Sequence, residues 1–411
     1  MELKHAIKKL AGQCVKCGVC APHCPTYVKT QHEGESARGR IALMEAYASD
    51  QLPLSNTLLS HLDSCLYCRA CEAVCPSDVS YAALLNTTHQ LIGKTRPFSK
   101  YLDFIFKKPQ HLRWVVIALR VYQRTGLQWL ARKTKLLRLL RLERWDQYLP
   151  SLHLHRWRPV YPSASPHQGQ VTLFSACIAS FAEVSARLAA IRLLNTWGFD
   201  VYLPAKAHCC GAFHLHGGSP HFITLAKENM QQLNTAHPIL FITPGCGMIL
   251  KDYPTTCAHF PHANIPKEHT EKFSQPLEDI ATFLTRTTPT TTFTFKTLNA
   301  KIAVHSPCAV SQTLKTGEAW LSLLQRIPGA QCLPIQTPTR CCGAAGLSML
   351  TQPNMADNLA QDIIEAVTVM QPAILVTANI GCRLHLSAQF RAKKINIPIL
   401  HPLELLAAQL V

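Results

Sequence analysis

The chain has 411 residues, 47% of them hydrophobic, with 18 cysteines and a formal charge of +17. That length allows two to four cored domains. The start, MELKHAIKKL, carries no apolar signal core, and the longest apolar run, Trp114 to Leu119, is far short of the about 20 residues a bilayer span needs, so eighteen thiols point to a reducing cytoplasm and to metal rather than disulfides.

Near the amino terminus stands a cysteine run, Cys14-x-x-Cys17-x-x-Cys20-x-x-x-Cys24-Pro25. It returns with identical spacing as Cys65-x-x-Cys68-x-x-Cys71-x-x-x-Cys75-Pro76. Zinc sites favour pairs of cysteines or Cys/His sets around one tetrahedron. A triplet, then a fourth cysteine followed by proline, is the pattern that holds 4Fe–4S clusters, the fourth thiolate serving the other cluster. The expected ligands are Cys14, Cys17, Cys20 and Cys75 for one cluster, and Cys65, Cys68, Cys71 and Cys24 for the other. The 40 residues between Cys24 and Cys65 are too many for a compact β-rich ferredoxin and read as helices. Ser36 can cap a helix through Ile41, Met44 and Tyr47, a further turn or two follows over 56–62, and 80–92 continues helically. Residues 1–93 thus resemble the all-helical ferredoxin module of respiratory iron–sulfur subunits.

Residues 94–168 form a basic segment and linker. Between Lys94 and Arg158 there are 16 Lys/Arg against 3 Asp/Glu. Pro109 can start a helix with Leu112, Val115, Val116 and Leu119 on one side. A second candidate spans 127–142 and mixes leucines with Arg132, Lys133, Lys135, Arg138 and Arg141, while Trp114, Trp129, Trp145 and Trp157 are interleaved. Basic amphipathic helices with tryptophan suit an anionic membrane surface or a docking partner. The plainer reading is a helical hairpin with its charged face in water, and nucleic acid is not expected. The Pro- and Ser-rich stretch 159–169 reads as a linker.

The remainder is an internal repeat. Val171-Thr-Leu-Phe-Ser-Ala-Cys177 is a strand delivering a cysteine. Cys209-Cys210-Gly211 follows, then a strand over 239–243 ending in Pro244-Gly245-Cys246. The same order returns as Ile302-Ala-Val-His-Ser-Pro-Cys308, Cys341-Cys342-Gly343, and a strand over 374–377 ending in Ile380-Gly381-Cys382. Helical stretches over 181–197, 222–233, 317–327 and 355–370 alternate with these strands. Two α/β subdomains are expected, 169–290 and 291–411, with cysteines at the carboxyl ends of parallel strands, where open sheets place ligands. The fold class is therefore α and α/β: a helical two-cluster ferredoxin domain followed by two tandem cysteine-rich subdomains.

This arrangement resembles the iron–sulfur subunits of membrane-linked hydroxy-acid and glycerol-phosphate dehydrogenases, and the heterodisulfide reductase subunit with the same repeat. The stretch Gly34-Glu-Ser-Ala-Arg-Gly-Arg-Ile41, with Leu62-Asp-Ser-Cys65 and the run that follows it, looks most like the glycolate oxidase iron–sulfur subunit. The resemblance implies an electron-transfer subunit that takes electrons from FAD-binding glycolate oxidase subunits and passes them towards the quinone pool or a membrane acceptor. It would sit in the cytoplasm, peripheral on the inner face of the inner membrane. Rival readings are a heterodisulfide-reductase-like catalytic subunit, the equivalent subunit of a lactate or glycerol-3-phosphate dehydrogenase, and an assembly scaffold. Arg38 and Arg40 read as a charged helix surface or as a contact for the flavin subunit.

The family's fullest repeat closes with C-x-x-C, but here position 249 is Ile and position 385 is His. Each repeat offers four cysteines: Cys177, Cys209, Cys210 and Cys246, then Cys308, Cys341, Cys342 and Cys382. Four thiolates suffice for a further cluster or metal, while redox-active thiols and reduced structural thiols stay open. His385 either replaces the missing thiolate or is an ordinary surface or core residue. His208, His214 and His216 either tune the first site or decorate a loop. Cys257 and Cys332 read as free thiols, and Gly211 and Gly343 as points of close backbone approach to a cluster. No flavin, nicotinamide or Walker fingerprint is present, so no catalytic residue is assigned and substrate oxidation falls to another polypeptide.

Overall fold

The computed structural model describes residues 2–93, 104–163, 166–174, 176–204, 209–233, 235–260, 263–290 and 292–411. His208 and the start of the basic segment lie outside them.

The amino-terminal unit is helical throughout. The Ser36 side chain accepts the Gly39 N–H at 2.8 Å and starts the helix Ala37–Ala48, as its spacing predicts. Helices Asn56–Asp63 and Tyr81–Ile92 follow. Glu2–Ala11 turns Ile7, Leu10 and Ala11 against Met44, Leu62, Leu84 and Leu85, all buried. Each of the isoleucine, leucine and methionine side chains contributes about 1.5–3 kcal/mol on burial. Tyr81–Ile92 is central and buries both faces. Its Thr87 and Thr88 hydroxyls donate back to Ala83 O and Leu84 O at 2.8 and 2.9 Å, so no polar atom is stranded.

The basic segment opens with helix Pro109–Arg124, proline in its first turn. The single helix expected over 127–142 is instead three short ones, Leu127–Lys133, Leu136–Leu139 and Glu143–Gln147. Thr134 bonds back to Leu130 O at 2.8 Å, and Lys135 and Arg141 take left-handed backbones (φ 58° and 56°). The breaks fold the segment around buried Asp146, which receives Arg132 Nε at 2.6 Å, Tyr122 Oη at 2.9 Å and Gln128 Nε2 at 2.9 Å. The segment is then tied to the second repeat by Arg144, whose fork meets Asp357 at 2.8 and 3.0 Å. Leu112, Val116 and Ala131 face inward, while Trp114, Trp129 and Leu139 stay exposed at 71%, 63% and 81%.

Two sheets follow. In the first, β1 (Val160–Tyr161), β2 (Gly169–Leu173), β3 (Phe199–Tyr202), β4 (Ile239–Phe241) and β5 (Leu277–Asp279) lie in the order β1-β3-β2-β4-β5. All pairs are parallel except β1 with β3. The stretch read as a linker therefore supplies an antiparallel edge strand. In the second, β6 (Ala300–His305), β7 (Ala330–Pro334), β8 (Ile374–Thr377) and β9 (Ile399–Leu400) form a wholly parallel sheet ordered β7-β6-β8-β9. Helices Val184–Thr196, His221–Gln232, Gly317–Leu324 and Pro353–Met370 alternate with these strands. One hydrophobic core joins both sheets: Val171, Leu194 and Trp197 share it with Ile302, Trp320 and Leu406.

Candidate metal centres

Two cysteine-walled cavities lie in the helical unit. Cys14, Cys17, Cys20 and Cys75 line one, with Cys71 at its edge; Cys65, Cys68, Cys71 and Cys24 line the other. Each triplet thus meets the fourth cysteine of the other run. The triplet loops double back through left-handed residues, Lys16 and Gly18 in one, Tyr67 and Arg69 in the other. Cys24 is extended (φ −81°, ψ 114°) because it precedes Pro25, which occupies the first turn of helix Pro25–Thr30.

Donors point at the sulfurs. Val79 N–H lies 3.5 Å from Cys75 Sγ, Tyr81 Oη 3.7 Å from Cys65 Sγ, and Arg40 Nη1 3.9 Å from Cys24 Sγ. Burial pushes the Cys65, Cys68 and Cys71 thiols up, and Arg40 opposes this at Cys65. Iron reverses that preference by binding the thiolate. Among the described residues no three Cys, His, Asp or Glu side chains are posed around a single ion. Here the thiols wall a space instead of converging on a point. Eight thiols around two cavities, with N–H and guanidinium donors at sulfur, fit two 4Fe–4S clusters.

Arg40 is not a surface residue. It is 1% exposed and bonds His61 O (2.6 Å), Glu35 O (2.7 Å), Ser64 Oγ (2.8 Å), Thr26 Oγ1 (3.1 Å) and Glu35 Oε2 (2.5 Å). Arg38 does stay near the surface, held by Glu33 at 2.7 Å and reaching Lys16 O at 3.3 Å.

The repeat cysteines gather at the carboxyl edges of the two sheets. Cys177 follows β2, Cys209 and Cys210 follow β3, and Cys246 lies in the first turn of helix Pro244–Lys251 after β4. The thiols touch in series: Cys177 with Cys209, Cys209 with Cys210, and Cys210 with Cys246. In the second repeat Cys308 follows β6 and opens a π-helical turn, Ala309–Leu314. Cys341 and Cys342 follow β7, and Cys382 lies in the first turn of Ile380–Ala392. Cys342 and Cys382 approach to 2.7 Å, and burial pushes Cys308 up to about 12.

Gly211 and Gly343 take φ of +91° and +78°, and their N–H groups reach Cys209 Sγ and Cys341 Sγ, each at 3.4 Å. Protein already crowds both positions: an added Cβ would stand 2.6 Å from Phe222 and 2.5 Å from Ala356 O. Ile249 is buried in apolar core, whereas His385 is wholly buried with Nε2 3.4 Å from Asp357 Oδ1. His216 does not decorate a loop. It stacks on Tyr67 of the ferredoxin unit at 3.7 Å, and burial lowers it to about 3. Cys257 is buried in core and raised to about 12 by that burial, and Cys332 lies half-buried on β7.

The loop carrying Cys65 to Cys71 is wedged between the repeats. Arg69 pairs with Asp252 of the first. Leu66 packs on Cys341 and Leu359 of the second, and Cys68 lies within electrostatic reach of Cys341 and Cys308. The repeats in turn meet each other: Ile380 of the second packs against the two apolar clusters that Cys246 and Cys177 of the first also border. A cavity of about 930 Å³ opens on the far side, between the basic segment and the first repeat, with Cys177 and Cys209 in its lining. There Arg187, 4% exposed, stacks on Trp157 at 4.1 Å, and burial pulls it down to about 10. Sequence reasoning placed Arg40 at the surface and missed Arg187 and this cavity. The signal for Arg187 was an arginine set within a run of alanine and leucine, Ala186-Arg187-Leu188-Ala189-Ala190.

Comparison with known proteins gives a consistent picture. A family model described as a 4Fe–4S dicluster domain matches residues 11–79. One for the linker region of the glycolate oxidase iron–sulfur subunit matches 96–148, and a cysteine-rich domain matches twice, at 171–251 and 302–387. The probable glycolate oxidase iron–sulfur subunit of Bacillus subtilis (strain 168) is 30% identical over 399 residues, covering 91% of this chain and 87% of the relative. The glycolate oxidase iron–sulfur subunit of Escherichia coli (strain K12) is 28% identical over 395 residues, covering 92% and 90%. Lactate utilization protein A of Anoxybacillus flavithermus is 22% identical over 240 residues, 57% of this chain and 98% of that protein.

Proposed function

The chain belongs to the family of glycolate oxidase iron–sulfur subunits, and from that premise we propose that it carries electrons from a FAD-binding partner that oxidises glycolate towards the quinone pool. In this reading Cys14, Cys17, Cys20 and Cys75 hold one cluster, and Cys65, Cys68, Cys71 and Cys24 the other. When bound, the clusters supply carriers that take and release one electron at a time. The surrounding residues exclude water and place positive charge and N–H dipoles at sulfur, which sets the potential.

The observation that carries the proposal is the meeting of each cysteine triplet with the other run's fourth cysteine around a cavity. The wedged loop supports an onward path. Cys308, Cys341, Cys342 and Cys382, then Cys177, Cys209, Cys210 and Cys246, would hold further iron–sulfur or metal groups. The basic segment, with Trp114, Trp129 and Leu139 exposed, would rest on the anionic inner face of the membrane. Among the described residues no helix is long and apolar enough to cross one.

The test is iron and sulfide per chain after anaerobic purification, then cluster reduction by glycolate with and without the flavin partner. About eight iron atoms fill the ferredoxin sites at four per cluster, and clearly more fill the repeats. Reduction by glycolate only with the partner present supports the proposal. Colourless, paramagnetically silent protein after reconstitution, or glycolate oxidation by this chain alone, refutes it.

A further inference from the structure

The large cavity beside the first repeat borders that repeat's cysteine set, and its lining is chemically sorted. Its floor carries Cys177 and Cys209. Leu112, Leu203 and Leu225 give it apolar wall. Six cations, Lys107, Lys108, Arg113, Arg156, Arg158 and Arg187, face it against a single acid, Glu228. At about 930 Å³ it is the size of a cofactor or drug-sized ligand site. Arg187 is the built element: buried, over the Trp157 ring at 4.1 Å, and 3.5 Å from Ser180 Oγ. Desolvating a guanidinium is costly, and an aromatic–guanidinium stack at a cavity wall is a ready platform for a flat ring.

The mouth indicates what enters. Helix Pro109–Arg124 supplies Leu112 and Arg113 to the lining and, at the next position, leaves Trp114 71% exposed. Leu154, also in the lining, is 42% exposed. The cavity therefore opens beside the same Trp-bearing basic surface that suits an anionic bilayer.

We propose that this cavity is the electron-acceptor site, binding the ring of a membrane quinone against the Trp157–Arg187 stack with its ring edge towards Cys177 and Cys209. The inference rests on the reading that the chain passes electrons to quinone, and it adds where. Cys177, Cys209, Cys210 and Cys246 would hold the group that supplies one-electron transfer here; a bound quinone would take up two electrons and two protons from water at the mouth and leave as quinol. The electrons come from the hydroxy acid oxidised on the flavin partner. Negative charge developing on the ring oxygens is what a buried guanidinium stabilises best.

The test is equilibrium dialysis of a decyl-substituted benzoquinone against the full iron–sulfur-loaded chain, with no turnover involved. The variants are Arg187→Lys, which keeps charge but loses the planar stack, and Leu154→Trp, which narrows a half-open mouth. Iron content and melting temperature establish that both are folded. The wild type should bind, and each variant should bind at least about tenfold more weakly, a change of about 1.4 kcal/mol. Absence of wild-type binding, affinity unchanged in both folded variants, or displacement of the quinone by an organic disulfide would each overturn the assignment. Glycolate-dependent ferricyanide reduction by the wild-type complex is a separate arm. Its failure removes the electron-transfer reading, while dialysis decides the cavity independently.

Discussion

Replacing Arg40 with Gln should lower the potential of one cluster and spare the other. The guanidinium lies 3.9 Å from Cys24 Sγ and is 1% exposed. A unit charge about 6 Å from a cluster centre, at an effective dielectric constant of about 20, is worth about 3 kcal/mol, or about 120 mV for a one-electron couple. Glu35, bonded to the far side of the guanidinium at 2.5 Å, cancels part of this; allowing half leaves roughly 60 mV. The sign is negative, because removing a cation favours the oxidised, less negative cluster. Stability should fall as well, by roughly 3 kcal/mol, since Glu35 loses its buried counter-charge. Arg40→Lys restores the charge and should recover most of the potential while losing the fork of hydrogen bonds. The assay is an EPR-monitored redox titration of both clusters. Unchanged potentials in Arg40→Gln, an upward shift, or equal shifts in both clusters would refute the reasoning.

Cys75→Ala should remove the cluster held with Cys14, Cys17 and Cys20 and leave the other, so iron falls from about eight to about four atoms in the ferredoxin unit; a spectrum missing the other cluster instead would invert the ligand assignment. Reversing the exposed charges Lys133, Arg138 and Arg141 to Glu should weaken binding to phosphatidylserine vesicles by at least about a hundredfold, at about 1 kcal/mol per basic residue; Arg132 is left intact because it holds Asp146. Unchanged sedimentation would return the segment to a merely solvated face. Burial raises the Asp279 carboxyl to about 7, although Ala281 N–H, Thr316 and Trp320 donate to it. The folded chain then binds more protons than the unfolded one between about pH 4 and 7, so this group's contribution to stability falls as pH rises through that window. Asp279→Asn should flatten that slope in denaturant titrations, and an unaltered slope would assign it elsewhere.

Local rules made much of the frame legible. Ser36 and Pro109 mark helix starts, the cysteine runs declare their cofactor, and 374–377 reads as the strand it is because Ile374, Leu375 and Val376 run into the β-branched Thr377. Contacts between distant segments were not legible. Nothing near Cys68 in sequence says that Cys341 lies beside it, and Arg40 is a surface residue to any periodicity argument until Glu35, Ser64 and His61 close around it. The helix expected over 127–142 failed for a related reason. Its leucines and basic residues satisfy helical spacing, but Asp146 gathers Arg132, Tyr122 and Gln128 from three turns of chain, and the backbone breaks to let them converge. β1 was hidden because two residues in a proline-rich stretch carry no strand signal of their own.

The segment 402–411 is stitched onto both repeats. Arg192 donates to Ala407 O and Leu410 O, Lys296 N–H to Gln409 O, and Val411 N–H to Thr294 O, while Leu403, Leu405 and Leu406 complete the core that Val171 and Leu194 begin. The first sheet, whose last strand ends at Asp279, therefore keeps part of its core uncovered until residues 403–410 have docked. Docking of that segment, rather than closure of the sheet, completes the shared core, and variants lacking residues 402–411 should be more open to protease across 169–203 than the full chain.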